Sequence, residues 1–289
     1  MLNLQGLGVA LITPFDKQGQ VDYKALDKLI DFQMKNGIDY FVIMGTTAET
    51  PTLTEAERST ILTFVTNKVN NRIPIVVGFS GNNTAMLCQT IRNARQHKMD
   101  ALLVACPYYN KPSQEGLFLH FKAVSEATNK PIVLYNIPGR TGVNLLPQTV
   151  IRIAKECKNV IAIKEASGNV EQIKLLIELI KANNLDFQVI SGDDALTVQL
   201  MQDGACGVIS VAANAFPKDF ATLVHQADKA QEIQNKYAKM IELLFADGNP
   251  SGIKCVLSEQ KKISNQLRLP LVPVTQITQE LIKREFKKL

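Results

Sequence analysis

The segment "VIAIKEASGNVEQIKLLIELIKANN" (residues 160–184) joins a short β-rich run to an amphipathic stretch through a polar turn. Its first part is a near-continuous run of Val, Ile and Ala, which is typical of a strand in a parallel sheet covered on both faces. Its second part repeats apolar residues at i, i+3, i+4 and i+7, which is the helical period. The segment therefore predicts one βα unit.

Eight β-rich runs of this type occur along the chain, with amphipathic stretches between them. The runs are GVALITPF (8–15), YFVIMGTT (40–47), IPIVVGFS (73–80), ALLVACPYY (101–109), PIVLYNIP (131–138), VIAIKEAS (160–167), FQVISGDD (187–194) and GVISVAAN (207–214). Their spacing of roughly 20–35 residues suits βα units with short loops. Eight consecutive units favour a (β/α)8 barrel over a doubly wound sheet, which is the alternative that the pattern leaves open.

The chain after the eighth unit has no further β-rich run and reads as helical to its end. We therefore predict a barrel domain over residues 1–224 and a small C-terminal helical region over residues 225–289. Two helix boundaries are also predicted from local signals. Thr54 followed by Glu57 indicates a capping box, and Asn36-Gly37 indicates a helix stop.

Composition limits the classes of protein that the chain fits. Its 289 residues are 46% hydrophobic, and the formal net charge is +5. The basic residues are dispersed except in LIKREFKKL (281–289), which is interpreted as the solvated face of a closing helix. Neither a nucleic-acid nor a membrane partner is expected. The five cysteines form no CxxC pair, and the N-terminal stretch has no signal-peptide pattern, so we expect a cytoplasmic protein with reduced thiols.

In a barrel of this kind the active site lies where the carboxyl ends of the strands converge. The predicted strand ends carry hydroxyl groups and one amine, namely Thr46, Thr47, Tyr109, Tyr135 and Lys164. The three histidines fall outside these strand ends, so a His-rich metal site is not expected. The last two strand ends carry Asp193 and Asp194 and no basic residue, which argues against a phosphorylated substrate. The glycine patterns of dinucleotide and nucleotide sites are also absent from the sequence.

A strand-end amine among hydroxyls suits Schiff-base catalysis, in which lysine attacks a carbonyl and the iminium draws electrons from the adjacent carbon. The apolar neighbours Ile161 and Ile163 are expected to shield Lys164 from water, which favours the neutral, nucleophilic amine. Spacing alone leaves a second interpretation open. Lys164 could instead pair with a carboxylate such as Asp193 or Glu49 in a structural ion pair.

Six segments resemble the dihydrodipicolinate synthase / N-acetylneuraminate lyase family of class I pyruvate aldolases, in order and along the whole chain. They are GTTAETPTL (45–53), PYYNKPSQEGL (107–117), LYNIPGRTG (134–142), IKEASGN (163–169), SGDDAL (191–196) and GVISVAAN (207–214). The resemblance implies a (β/α)8 barrel with a C-terminal helical region and no cofactor beyond a pyruvate imine on Lys164. It also implies a homo-oligomer, usually a dimer of tight dimers.

The resemblance further implies roles for individual residues. Lys164 would form the Schiff base with pyruvate, and Tyr135 would relay a proton through Thr46 to Tyr109 of the partner subunit in the tight dimer. Thr46 and Thr47 would bind the pyruvate carboxylate. Gly192 and Ile209 would line the same pocket.

Arg140 in "NIPGRTG" resembles the arginine with which synthases of this family bind the carboxylate of aspartate-4-semialdehyde. An arginine fork suits a carboxylate, whereas sialic-acid lyases act on a polyol aldehyde and generally lack this residue. The expected reaction is therefore condensation of pyruvate with L-aspartate-4-semialdehyde in diaminopimelate and lysine biosynthesis. The alternatives are another pyruvate-dependent aldolase or lyase, and a non-catalytic barrel that serves as a scaffold.

One departure from the family pattern concerns the turn after the second strand. Ala48 stands where the family commonly has glycine after the paired threonines. Because alanine would be strained at positive φ, we expect a right-handed conformation at this position.

Overall fold

A computed structural model describes residues 2–289 and contains eight β-strands within that range. The strands are β1 (Gly6–Ala10), β2 (Tyr40–Ile43), β3 (Ile75–Phe79), β4 (Ala101–Ala105), β5 (Ile132–Asn136), β6 (Val160–Glu165), β7 (Gln188–Ser191) and β8 (Gly207–Ser210). They pair in chain order and close into a barrel. The predicted (β/α)8 fold is therefore confirmed.

Helices follow the strands and continue to the end of the chain. They are α1 (Tyr23–Lys35), α2 (Glu55–Val69), α3 (Thr84–Asn93), α4 (Gln114–Glu126), α5 (Pro138–Thr141), α6 (Pro147–Glu156), α7 (Val170–Ala182), α8 (Thr197–Asp203), α9 (Pro217–His225), α10 (Ala227–Ala246), α11 (Ser251–Glu259) and α12 (Gln276–Phe286). Helix α5 is a single turn inside a segment that the sequence predicts only as a loop. As predicted, the described chain has no strand after β8, and helices follow it.

Both predicted helix boundaries are confirmed. The Thr54 side chain accepts a hydrogen bond from the backbone N–H of Glu57, and the Glu57 carboxylate accepts one from the backbone N–H of Thr54. Helix α1 ends at Lys35, and Gly37 follows with φ 83°. That dihedral lies in the left-handed region, which glycine adopts without the Cβ clash of other residues.

The segment Ile75–Ile209, with residues 2–5, forms one compact unit that contains β3 to β7 and most of β8. Strands β4, β5 and β6 are buried along nearly their whole length. Helix α7 buries four apolar residues, Ile173, Leu176, Ile177 and Ile180. Full burial of each such side chain contributes about 1.5–3 kcal/mol, so this helix is held mainly by its apolar face.

The second compact unit comprises Gly6–Pro74 and Ser210–Leu289. It contains β1, β2, α1, α2 and the C-terminal helices from α9 onward. The ring of Tyr237 on α10 lies 4.8 Å from that of Phe216 and 5.5 Å from that of Phe220, centroid to centroid. These aromatic contacts stabilise the packing of α10 against α9. The predicted boundary between residues 224 and 225 falls inside this unit and stays a prediction.

Candidate active site

Lys164 is the fifth of the six residues of β6. The strand register places it beside Tyr135 of β5 on one side and Ile190 of β7 on the other. Only 6% of Lys164 and 7% of Tyr135 is exposed. The Nζ atom of Lys164 lies 4.4 Å from the centroid of the Tyr135 ring. The fold thus brings the predicted nucleophile and the tyrosine of the expected relay together in a buried position.

The environment of Lys164 bears on the second interpretation of this residue. Within residues 2–289, no carboxylate forms an ion pair with Lys164. Of the two candidate partners, Asp193 accepts a hydrogen bond from the backbone N–H of Ala195 at 2.9 Å, and Glu49 pairs with Lys254. The structural ion pair is therefore not formed, and the buried amine has an aromatic face as its neighbour.

Gly192 directly follows β7. Because it has no side chain, the Lys164 side chain can pass close to its backbone. A Cβ atom at position 192 would lie 3.0 Å from Cε of Lys164, 2.8 Å from Cβ of Ala166 and 3.0 Å from the carbonyl oxygen of Glu165. The Gly192 backbone N–H donates to that same carbonyl at 2.7 Å, which fixes the close approach. Any larger residue would displace the lysine or the backbone of β6, so glycine is required here on steric grounds.

Glu165 follows Lys164 and is 1% exposed. Its carboxylate accepts hydrogen bonds from Nδ2 of Asn136 at 2.9 Å, from the backbone N–H of Ser167 at 3.3 Å and from Nε2 of Gln172 at 3.5 Å. Burial raises the pKa of Glu165 to about 7, although these hydrogen bonds act in the opposite direction. The carboxyl group therefore titrates near neutral pH. No feature of the sequence alone singles out this residue.

The same network holds the loop that carries Arg140. Oδ1 of Asn136 accepts from the backbone N–H of Leu145 at 3.0 Å, and Nδ2 of Asn136 donates to Oδ1 of Asn144 at 2.8 Å. Nδ2 of Asn144 in turn donates to Oε1 of Gln172 at 2.7 Å. Both ends of the loop between β5 and α6 are thereby fixed. Arg140 lies in α5 within this loop, and its side chain is exposed.

Tyr109 differs sharply from Tyr135 in its exposure. Its side chain is 88% exposed, and its backbone has φ 77°, a conformation that is uncommon for an aromatic residue. Its backbone N–H donates to the carbonyl of Thr141 at 3.3 Å, which places the Tyr109 backbone against α5. A strained backbone that presents a large ring to solvent is a feature that often marks a functional position.

Thr46 and Thr47 lie in the second compact unit, in a turn after β2. Residues Thr46–Ala48 form one turn of 3₁₀ helix. Ala48 belongs to this right-handed turn as predicted, and the left-handed residue is the next one, Glu49, with φ 55°. Thr47 is 3% exposed, whereas Thr46 is partly exposed. The alanine therefore causes no strain at the position where the family commonly has glycine.

Residues near α11 that the sequence does not single out hold this turn. Nδ2 of Asn249 donates to Oγ1 of Thr47 at 2.9 Å. Lys254 of α11 forms an ion pair with Glu49, and neither side chain is exposed to solvent. The backbone N–H of Arg268 donates to Oε2 of Glu49 at 3.1 Å. These contacts join residues about 200 positions apart, so no local sequence pattern predicts them.

Ile209 lies in β8 and is 1% exposed. Within residues 2–289, no cluster of three or more His, Cys, Asp or Glu side chains could hold a metal ion. None of the helices in the same range combines the length and apolar character that a membrane-spanning segment requires.

Comparison with known proteins gives relatives over the whole chain. A 4-hydroxy-tetrahydrodipicolinate synthase from Parabacteroides distasonis is 50% identical, and the match covers 100% of this chain and 98% of the relative. The synthase of the same name from Porphyromonas gingivalis is 47% identical over 97% of this chain and 96% of the relative. Identity at this level over full length is far above what a shared fold alone produces.

Solved structures agree with these relatives. The dihydrodipicolinate synthase of Thermotoga maritima superimposes with a TM-score of 0.95 at 39% identity, and the match covers 98% of each chain. The chloride-inhibited dihydrodipicolinate synthase of Acinetobacter baumannii, solved as a complex with pyruvate, gives a TM-score of 0.94 at 38% identity over 99% of each chain. The model of the dihydrodipicolinate synthetase family matches residues 3–289. The chain belongs to the dihydrodipicolinate synthetase family.

Proposed function

We propose that this chain condenses pyruvate with L-aspartate-4-semialdehyde, the 4-hydroxy-tetrahydrodipicolinate synthase reaction of diaminopimelate and lysine biosynthesis. The observation that carries the proposal is the buried Lys164 amine, which lies over the Tyr135 ring and has no ion-pair partner in the described chain. Family membership and the names of relatives at about half identity support the choice of reaction. The enzyme is a Schiff-base-forming lyase of the class I aldolase type.

The reaction begins with attack of Lys164 Nζ on C2 of pyruvate. Loss of water gives the imine, and loss of a C3 proton gives the enamine, since the iminium nitrogen accepts the electron pair. The enamine carbon C3 then forms a bond with the aldehyde carbon of the semialdehyde, whose C=O π bond opens, and the aldehyde oxygen takes up a proton to become the 4-hydroxyl group. The amino group of the semialdehyde attacks the C2 imine carbon, closes a six-membered ring and displaces the Lys164 amine. Atoms balance without an external cofactor.

Hydroxyl groups suit the proton transfers of this sequence because each one both donates and accepts. Tyr135 receives and returns protons at the imine-forming carbon, and Thr46 and Tyr109 extend the relay. The 3₁₀ turn at Thr46 and Thr47 binds the pyruvate carboxylate with its hydroxyls and backbone N–H groups. Gly192 and Ile209 line the pyruvate pocket. The closeness of Lys164 to Tyr135 and to position 192 supports this assignment.

Arg140 binds the carboxylate of the semialdehyde. Its exposure and the hydrogen-bonded loop that carries it support this role, because the second substrate must enter from solvent. A guanidinium fork pairs with two carboxylate oxygens at once, which a polyol aldehyde cannot offer. Arg140 thus favours the synthase reaction over that of another pyruvate-dependent lyase.

The chain forms a homo-oligomer in which Tyr109 completes the active site of a neighbouring copy. The supporting observation is the 88% exposure of this strained tyrosine, compared with 7% for Tyr135. Mixing Tyr109→Phe protein with Lys164→Ala protein under proven subunit exchange should restore part of the activity, because a mixed dimer contains one intact site. Exchange without any recovery would contradict a shared site.

The five cysteines of the chain form no disulfide bond, which supports a cytoplasmic location for the enzyme.

One experiment tests the central claim. The protein is incubated with pyruvate and borohydride, digested, and the reduced adduct is mapped by mass spectrometry. We expect the adduct on Lys164, and Lys254, the other buried lysine, serves as an internal control. An unmodified Lys164 would overturn the catalytic proposal and leave the scaffold interpretation. Turnover with aspartate-4-semialdehyde but not with a sugar aldehyde then separates the synthase from other pyruvate aldolases.

A further inference from the structure

We propose that Asn249 is a positioning residue that makes the Thr47 hydroxyl a hydrogen-bond donor toward the pyruvate carboxylate. The inference rests on the proposed function, in which the turn at Thr46 and Thr47 binds that carboxylate. It gives the C-terminal helical region a part in the active site. Asn249 contacts Thr47, which binds the substrate, and does not contact the substrate itself.

The polarity of one buried hydrogen bond carries the argument. Nδ2 of Asn249 lies 2.9 Å from Oγ1 of Thr47, and the two residues are 6% and 3% exposed. An amide nitrogen has only protons to give, so the threonine oxygen must accept. Its single hydroxyl proton is then left for an acceptor elsewhere. A carboxylate offers only acceptors, so this orientation matches the ligand.

Thr50 and Thr52 lie in the next 3₁₀ turn, Thr50–Thr52, and show the opposite arrangement. Oγ1 of Thr50 donates to the carbonyl of Gly45 at 2.9 Å, and Oγ1 of Thr52 donates to the carbonyl of Glu49 at 2.9 Å. Both protons are used within residues 45–52 and stabilise that backbone. The Thr47 hydroxyl instead accepts from a side chain that lies outside the turn. The hydroxyls that stabilise the backbone of residues 45–52 are thus different from the Thr47 hydroxyl, which is kept available to donate.

The C-terminal region that presents Asn249 is itself anchored to the same turn. Lys254 forms its ion pair with Glu49, two residues after Thr47, and donates to the carbonyl of Gln266 at 3.0 Å. The backbone N–H of Arg268 donates to the Glu49 carboxylate at 3.1 Å. Glu49 and Thr47 are therefore both held by the segment from residue 249 to residue 268. This double attachment fixes the distance between Asn249 and the turn.

The test separates the Michaelis constant for pyruvate from the other kinetic constants. Asn249→Ala removes the donor, and Asn249→Asp replaces it with a nearly isosteric acceptor toward which Thr47 would turn its proton. A hydrogen bond to a charged group is worth roughly tenfold to a hundredfold in binding. We expect KM for pyruvate to rise about tenfold in Asn249→Ala and further in Asn249→Asp, with the KM for the semialdehyde changed less than about twofold.

A double-mutant cycle decides whether the effect passes through Thr47. In a Thr47→Val background the hydroxyl is gone, so adding Asn249→Ala should leave KM for pyruvate unchanged within about twofold. Equal increases in both backgrounds, or equal increases in KM for both substrates, would overturn the inference. Gln260→Ala is the matched control, because Nε2 of Gln260 donates to the carbonyl of Ala215 at 3.0 Å in the same region.

Two further measurements keep the result unambiguous. Thermal unfolding of each variant identifies any that do not fold, and Asn249→Asp, which keeps the size of the side chain, then replaces Asn249→Ala in the cycle. Borohydride trapping of pyruvate on the unmodified protein tests the proposed function by itself. If pyruvate is trapped on Lys164 but the double-mutant cycle shows no coupling between Asn249 and Thr47, this inference alone is contradicted. If no pyruvate is trapped, the proposed function is contradicted.

Discussion

Two lysines of the described chain are buried, and their surroundings differ completely. Lys254 is 0% exposed and contacts the Glu49 carboxylate, the carbonyl of Gln266 and, at 4.1 Å, the ring of Phe15. Lys164 is 6% exposed, and its amine lies over the ring of Tyr135 without an ion pair in the described chain. A buried ammonium with a carboxylate partner is structural, whereas a buried amine without one is available to react.

Burial alone therefore does not distinguish a structural lysine from a reactive one. Burial lowers the pKa of Lys254 to about 8, although Glu49 acts in the opposite direction. That value still leaves Lys254 charged at neutral pH, as its ion pair requires. The partner, rather than the exposure, decides the role of each residue. The same substitution at the two positions should therefore have opposite consequences.

The largest expected effect is on activity in Lys164→Met. Turnover should fall at least about a thousandfold, because the covalent intermediate that divides the reaction is lost. Borohydride trapping with pyruvate should give no adduct. Urea unfolding should show unchanged or increased stability, since an apolar side chain replaces a buried amine without an ion-pair partner. Near-normal turnover of this variant would contradict the proposed role of Lys164.

Lys254→Met should act on stability instead. It leaves the buried Glu49 carboxylate uncompensated, so the free energy of unfolding should fall by about 3–5 kcal/mol. The folded fraction should still form the pyruvate adduct on Lys164. The double variant Glu49→Gln, Lys254→Met should recover much of the loss, because no buried charge then remains. Stability equal to that of the unmodified protein in Lys254→Met would show that the pair contributes nothing.

The carboxylates extend the comparison, since Glu165 lacks the cationic partner that Glu49 has. Burial raises the pKa of Glu165 from 4.5 to about 7, so the folded state binds more protons than the unfolded state between these values. Stability should therefore fall as pH rises through this window. The loss is up to about 3 kcal/mol, relative to Glu165→Gln. Parallel pH profiles of urea unfolding for the two proteins would contradict the assignment.

The smallest of these changes in stability concerns the space beside Lys164. Gly192→Ala places a Cβ 3.0 Å from Cε of Lys164 and 3.0 Å from a backbone oxygen. Such overpacking costs about 1–3 kcal/mol, and part of it should appear as slower adduct formation, by about tenfold. Gly81→Ala is the control, because its added Cβ meets Leu87 at an ordinary 3.7 Å. Equal trapping rates in both variants would show that the space at position 192 is not needed.

Much of this protein can be inferred from its sequence. Eight apolar runs separated by helical periods predict the barrel, because a parallel sheet and its covering helices each impose a period on the chain. The order of the motifs predicts the family, and Thr54 with Glu57 predicts a helix start, since a capping box is a contact over three residues. The candidate residues Lys164 and Tyr135 also come from the sequence, through their places at strand ends.

Only the tertiary structure shows what surrounds those residues. The pairing of Glu49 with Lys254, the hydrogen bond from Asn249 to Thr47 and the steric need for Gly192 all depend on chain segments that meet after folding. The physical reason is the same in each case. The period of apolar residues in the sequence indicates which face of a helix or strand is buried. The partner of a buried polar group depends instead on which chain segments lie close together after folding, and the local sequence does not indicate this.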